Sequence, residues 1–225
     1  LYIVPKIWVK DDGTLSGAND VITARLEHKM GLHAQATALL NFGENDACYG
    51  IRLGDPPDEK GRSRGVAMMF HMMNESRIGT GLNANSQASA AYCYAANYAK
   101  DRIQGRPFGS KGGARVPIIK HEDIRRLLLD MKAHTEGIRA LIFKGFYNLD
   151  IQENSSDAKR AERCGSVAEV LTPIIKCYAS EISVHVISEA MQVFGGVGYT
   201  REYPVEQYLR DSKILTIWEG TSFIH

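Results

Sequence analysis

The spacing of apolar residues changes once along this chain, near residue 71, and that change constrains the fold more than any other feature. Beyond it the period is helical. Ile78, Leu82, Ala88, Tyr92, Ala95, Ala99 and Ile103 share one broad face and predict a helix from near Asn74 to Gln104. Its many Gly, Ala and Ser residues would let another helix approach closely. Gly105, Pro107 and the glycines from Gly109 to Gly113 end it in a loop. A second stripe follows Pro117, with Ile124, Leu127, Leu128, Met131, Ile138, Leu141, Ile142 and Leu149. A third helix is expected from about Ser166 to Phe194, marked by Val167, Leu171, Ile174, Tyr178, Ile182, Val186 and Val193, with a kink at Pro173. Gly195-Gly196-Val197-Gly198 stops it, and a shorter helix follows from about Pro204 to Leu215. Long helices joined by loops predict an antiparallel α-helical bundle over 71–225.

Residues 1–70 read differently. Leu1, Ile3, Ile7 and Val9 fall largely on alternate positions, and Asp11-Asp12-Gly13 is a hairpin-type turn signal. Thr37 to Phe42 and Val66 to Phe70 are expected as further strands, separated by a polar loop from Gly54 to Gly61. The fold class is therefore α+β, an antiparallel β region followed by helices.

Charge excludes some functions. Lys and Arg number 27 against 26 Asp and Glu, so no net basic field exists to attract phosphates, and no nucleic-acid partner is expected. Unbroken apolar runs are a few residues long, far short of the ~18 that span a bilayer, so no membrane partner is expected either. Cys48, Cys93, Cys164 and Cys177 form no CxxC pair and read as reduced thiols. The seven histidines include no pair at i,i+4 and no HExxH, so no metal site is expected.

Four segments carry candidate chemistry. In Trp218-Glu219-Gly220-Thr221, a carboxylate partly desolvated beside a large aromatic is equipped to exchange a proton, although a single Glu is commonly a solvated surface group. In Gln192-Val193-Phe194-Gly195-Gly196-Val197-Gly198, backbone N–H groups at a glycine turn can approach a pyrophosphate, or the glycines simply cap a helix. The spacing is not GxGxxG and follows a helix, which excludes a Rossmann fingerprint. Arg102 and Arg106 flank a glycine turn and either hold a phosphate or serve as solvated cations at a helix end. Met72-Met73-Asn74-Glu75-Ser76-Arg77 lies where strand texture gives way to helix, its Met pair reading as core filler.

The order of these segments resembles the acyl-CoA dehydrogenase family along essentially the whole chain. Val4-Pro5-Lys6, Leu26-Glu27-His28-Lys29-Met30-Gly31 and Met73 to Arg77 match its middle β domain and the entry to its helical domain. Tyr98-Ala99-Lys100-Asp101-Arg102, Phe108-Gly109, Val197-Gly198-Tyr199, Leu209-Arg210-Asp211-Ser212-Lys213 and Trp218-Glu219-Gly220-Thr221 follow in the family's order. Val116-Pro117-Ile118-Ile119-Lys120-His121 and the Gln-Gly-Arg insertion resemble the subgroup containing 3-methylmercaptopropionyl-CoA dehydrogenases.

The resemblance implies the second half of the middle domain, a partial antiparallel β-barrel over residues 1–70, then the C-terminal helical bundle domain with its last helix cut short. It implies an oxidoreductase that binds FAD and α,β-dehydrogenates an acyl-CoA thioester to the trans-2-enoyl-CoA in fatty acid β-oxidation. Glu219 would be the base. Some members place that base where this chain has Ser76, which cannot serve. Asn74, Glu75, Ser76, Arg77 and Gly220 match substrate contacts, with Arg77 the anchor for the CoA portion. Arg102 matches an Arg that reaches FAD phosphate across a subunit boundary. Five residues separate it from Phe108-Gly109 where the common pattern has two, so Arg106 is the alternative holder. Phe108, Gln192, Gly195, Gly196 and Thr221 complete the implied FAD contacts. His225 stands where the family often has Gln. The resemblance further implies an electron-transferring flavoprotein as partner, a homodimer or homotetramer, and a location in the bacterial cytoplasm or the mitochondrial matrix. Alternatives on the same fold are an acyl-CoA oxidase or a DNA-repair-associated flavoprotein; an alternative of another class is a flavin-free helical interaction module.

Overall fold

The computed structural model describes residues 1–222, apart from the side chains of Phe70 and His71. His225 lies outside the described residues. The chain divides into two compact units, one over residues 1–73 and the other from Asn74 onward.

The first unit holds six short strands, β1 (Tyr2–Ile3), β2 (Ile7–Val9), β3 (Leu15–Ala18), β4 (Val21–Leu26), β5 (Ala38–Phe42) and β6 (Ile51–Arg52). Pairing is antiparallel, as the alternation predicts, with β1 on β6, β2 on β3 and β4 on β5. The partial barrel is not found: among the described residues these are three separate two-stranded sheets. Two strands have too little apolar surface to close a layer on their own. The faces of β2, β3 and β5 accordingly leave Ile7, Val9, Leu15, Leu40 and Phe42 exposed.

Polar side chains do the joining here. The β2–β3 turn is held by Asp12, whose Oδ1 accepts from the Thr14 amide at 2.9 Å and the Thr14 hydroxyl at 2.6 Å. These bonds hold the Asp12 carboxyl below the usual carboxylate range. Fully buried Asn19 donates through Nδ2 to the carbonyls of Pro5 and Tyr49, and its Oδ1 accepts from the Tyr49 amide. One side chain thus ties three segments together.

Four helices follow, α1 (Gly65–Asp101), α2 (Glu122–Asn154), α3 (Ala158–Phe194) and α4 (Val205–Lys213), with single 3₁₀ turns at Ile118–Lys120, Gly195–Tyr199 and Ile214–Thr216. Val66 to Phe70, expected as a strand, is the start of α1. A five-residue apolar run has no period long enough to separate strand from helix, and here the helix continues through it. α3 starts eight residues before the expected Ser166, because Asp157 caps it: Oδ1 accepts from the amides of Lys159 and Arg160 at 3.0 and 3.2 Å. Replacing Asp157 by Ala removes both bonds and is expected to cost ~1 kcal/mol of stability, read as a lower urea midpoint.

The second unit is built on close helix approach. Ala84, Ala88, Ala91, Ala95 and Ala99 of α1 are all fully buried. A Cβ at Gly81 would lie 2.7 Å from Ile175 Cγ2, and one at Gly145 2.5 Å from Ile175 Cδ1. Both are distances that only glycine permits, so α1 and α2 each press a bare backbone against the same α3 isoleucine. Ile78, Ile138, Ile142, Ile175 and Ala179 form one core cluster. A second runs from Ala88 and Met131 to Val186, Phe194 and Val205.

The expected stripe of α3 holds in part: Val186 and Val193 are buried and Leu171 and Ile182 pack on the core, but the middle of the helix buries other residues. Ile174 and Tyr178 of the predicted stripe are exposed, whereas Thr172, Ile175, Lys176, Ala179, Ser180 and Ser183 are buried. The element passes through Pro173 as one continuous helix. By length and composition α3 is also apolar enough to cross a bilayer, contrary to the reading of its short apolar runs. Its burial between α1 and α2 and the lysine in its buried face are features of a core helix.

Candidate active site

Two carbonyl groups in the turn after α4 are gripped by cations from two different helices. The chain leaves the 3₁₀ turn at Ile214–Thr216 and closes a loop in which the Ser222 amide and hydroxyl both donate to the Thr216 carbonyl. Inside this loop Glu219 and Gly220 both take left-handed backbone conformations, with φ of 56° and 99°. Gly220 does so without steric cost; Glu219 does not. A non-glycine residue persists there when its surroundings over-determine it.

Those surroundings are specific. The Arg77 guanidinium donates through Nε to the Glu219 carbonyl at 3.3 Å, and the Ser76 hydroxyl donates to the Glu219 carboxylate at 3.1 Å. Both residues sit early in α1. From α3, Lys176 donates through Nζ to the Gly220 carbonyl, and the Cys177 thiol faces the Ser222 carbonyl at 3.7 Å. Lys176 is fully buried, and burial, with Arg77 nearby, pushes its ammonium below the usual lysine range. Trp218 and Glu219 are half-buried, and the Trp218 indole N–H is buried without a hydrogen-bond partner. The result is a carboxylate on a fixed turn, next to an unused donor.

Of the residues expected to act, Ser76, Arg77, Glu219, Gly220 and Thr221 are gathered here, with Asn74 and Glu75 immediately before Ser76 on α1. Arg102, Arg106, Phe108, Gln192, Gly195 and Gly196 lie elsewhere. Arg102 follows the last residue of α1, twenty-five residues beyond Arg77, which at ~1.5 Å per helical residue is about 38 Å away. There Tyr98 stacks on Phe194 with ring centroids 4.4 Å apart, placing the end of α3 against the end of α1.

This second group has its own character. Gly195 takes φ 64°, and neither it nor Gly196 has an atom within 4 Å of where a Cβ would stand. Phe108 is 94% exposed in a loop whose base is held by Gln104, Val116 and Gly105. Arg106 spends its Nε on the Gly113 carbonyl at 2.8 Å, whereas the Arg102 side chain is exposed. A bare glycine turn and an exposed cation are features that suit a pyrophosphate, and an exposed ring suits a flat ring system.

Lys176 was not singled out by sequence reasoning. The available signal is its position at i+4 from Thr172 and i+1 from Ile175, within the face that α3 buries.

Known proteins are similar to this chain in sequence and fold. Residues 63–225 match the sequence profile described as acyl-CoA dehydrogenase, C-terminal domain. The chain is 43% identical over 222 residues to a butyryl-CoA dehydrogenase of Syntrophomonas wolfei, and 39% identical over 224 residues to the 3-methylmercaptopropionyl-CoA dehydrogenase of Ruegeria pomeroyi. These alignments cover 99% and 100% of the chain but 36% of each relative, so the chain spans about a third of their length. Its fold superposes on the butyryl-CoA dehydrogenase of Megasphaera elsdenii with a TM-score of 0.71 and 28% identity, covering 97% of this chain and 52% of that one. A glutamate fixed on a left-handed turn and a profile match over residues 63–225 converge: the chain belongs to the acyl-CoA dehydrogenase family.

Proposed function

We propose that this chain supplies the proton-abstracting part of an FAD-dependent acyl-CoA dehydrogenase, with Glu219 as the base. The observation that carries the reading is the Glu219 turn, held at its carboxylate by Ser76 and at its carbonyl by Arg77. A carboxylate removes the α-proton of a thioester only if it is held against the substrate and the developing enolate charge meets fixed donors. The Glu219 backbone N–H, oriented by the same turn, is the proposed donor from this chain. Asn74, Glu75 and Arg77 would line the approach of the acyl-CoA.

The residues fit FAD as two separate halves. Thr221 stands beside the base, and the buried Trp218 N–H offers a donor to a bound group. Arg102, with Arg106 as the alternative, would neutralise a pyrophosphate against the turn of Gln192, Gly195 and Gly196, with Phe108 covering a ring. Bound FAD would supply the acceptor for the β-hydride, yielding the trans-2-enoyl-CoA. The halves lie at opposite ends of the bundle, about 38 Å apart along α1 from Arg77 to Arg102 and about 24 Å along α3 from Lys176 to Gln192, and the proposed assembly is a dimer or tetramer in which each copy completes its neighbour's site. An electron-transferring flavoprotein is the proposed electron acceptor, and the bacterial cytoplasm or the mitochondrial matrix the proposed location.

The test is anaerobic titration of the whole protein with butyryl-CoA and with 3-methylmercaptopropionyl-CoA. Bleaching of a yellow protein by either supports the reading. A colourless protein that binds neither thioester would overturn it in favour of a flavin-free interaction module.

A further inference from the structure

A buried lysine in the middle of a core helix needs an explanation. Lys176 is 0% exposed, on the face of α3 that also buries Ile175 and Ala179. Removing an ammonium from water costs several kcal/mol, and an apolar side chain of the same length would fill this volume without that cost. Its Nζ is instead directed at the Gly220 carbonyl, one peptide beyond the Glu219 carbonyl that Arg77 holds. Two cations on two helices therefore fix two successive carbonyls. Between them lies the left-handed step of Gly220, which follows directly on the left-handed Glu219.

We propose that Lys176 is a positioning residue for the proton-abstracting carboxylate: from α3 it holds the Gly220 carbonyl and so fixes the far end of the left-handed Glu219–Gly220 pair, whose near end Arg77 holds. The inference rests on the reading of Glu219 as the base. Lys176 does not touch the reacting atoms. The other charged or titratable groups acting on it are Arg77 from α1, Cys177 and Glu181 from its own helix, and Glu219 itself. With the lysine gone, the turn keeps Arg77 and Ser76 but loses its second anchor, and the carboxylate samples orientations that do not reach the α-proton.

The experiment uses the whole, FAD-loaded protein with butyryl-CoA. Lys176→Met keeps the length and removes the donor; Lys176→Gln keeps a shorter donor. Lys176→Met is expected to lower kcat about tenfold to a hundredfold, the range carried by a hydrogen bond from a charged donor, with KM and FAD content unchanged. Lys176→Gln, reaching the carbonyl less well, is expected to fall between Lys176→Met and the parent. Should Lys176→Met fail to fold, a severalfold loss of kcat in Lys176→Gln at unchanged KM supports the same conclusion. A kcat within twofold of the parent in the folded variants overturns it, as does a loss explained by released FAD. Glu219→Gln, run alongside, separates the two failures. If that variant is as active as the parent, the base assignment is at fault; if it is inactive and Lys176→Met is not, the positioning role alone is.

Discussion

Glu219→Gln in the whole protein is expected to slow bleaching of the flavin by acyl-CoA about a hundredfold to ten-thousandfold, the range a general base contributes, while FAD stays bound. Gln is the informative substitution because the contacts that hold residue 219 do not depend on the charge. Its amide oxygen still accepts from Ser76, and the carbonyls held by Arg77 and Lys176 belong to the backbone. The turn should therefore keep its shape and lose only the group that takes the proton. Rapid mixing under anaerobic conditions, followed at the flavin absorption, measures the rate directly. A Gln variant that bleaches at the parent rate would falsify the assignment.

The largest effect on stability is expected at Ile175. Its side chain is fully buried and meets Gly81 of α1 and Gly145 of α2 at positions where neither helix carries a Cβ. Truncation to Ala leaves a cavity bordered on two sides by bare backbone, which has no side chain to collapse into it. The expected cost is about 2–5 kcal/mol, seen by calorimetry as a lower unfolding temperature of the helical unit. Glu169→Ala, at an exposed position of the same helix, should change stability by no more than about 0.5 kcal/mol. Equal shifts for the two variants would contradict this account of the core.

Much of the helical unit can be read from the residues themselves. The apolar stripe from Ile124 to Leu149 falls within α2, and Gly195 stops α3 where the glycines are expected to, with a positive φ. What one-dimensional spacing misses is which side of a helix its neighbours cover. Large residues mark Ile174 and Tyr178 of α3 as core, yet in the middle of the helix Ile175 is buried instead, among Thr172, Lys176, Ala179, Ser180 and Ser183, where a missing Cβ on α1 and α2 permits approach. The same error hides Lys176, since a lone lysine in a helical run resembles a solvated group until its neighbours are known. The strands show the converse limit. Alternation marks the residues of β1 and β2, and the stretch Thr37 to Phe42 covers β5, but β3, β4 and β6 escape it, and three isolated pairs take the place of the partial barrel. The site divides along similar lines. The aromatic-Glu-Gly-Thr segment is visible as a string, whereas its link to Ser76 spans 143 positions and exists only in the fold.

The left-handed backbone of Glu219 bears on how this position can change over generations. A side chain there works against the backbone by about 1 kcal/mol or more, so the fold by itself would favour glycine or asparagine. A descendant released from proton transfer would gain stability by making that exchange. On the proposed reading of Glu219 as the base, the glutamate at φ 56° serves chemistry at the expense of folding.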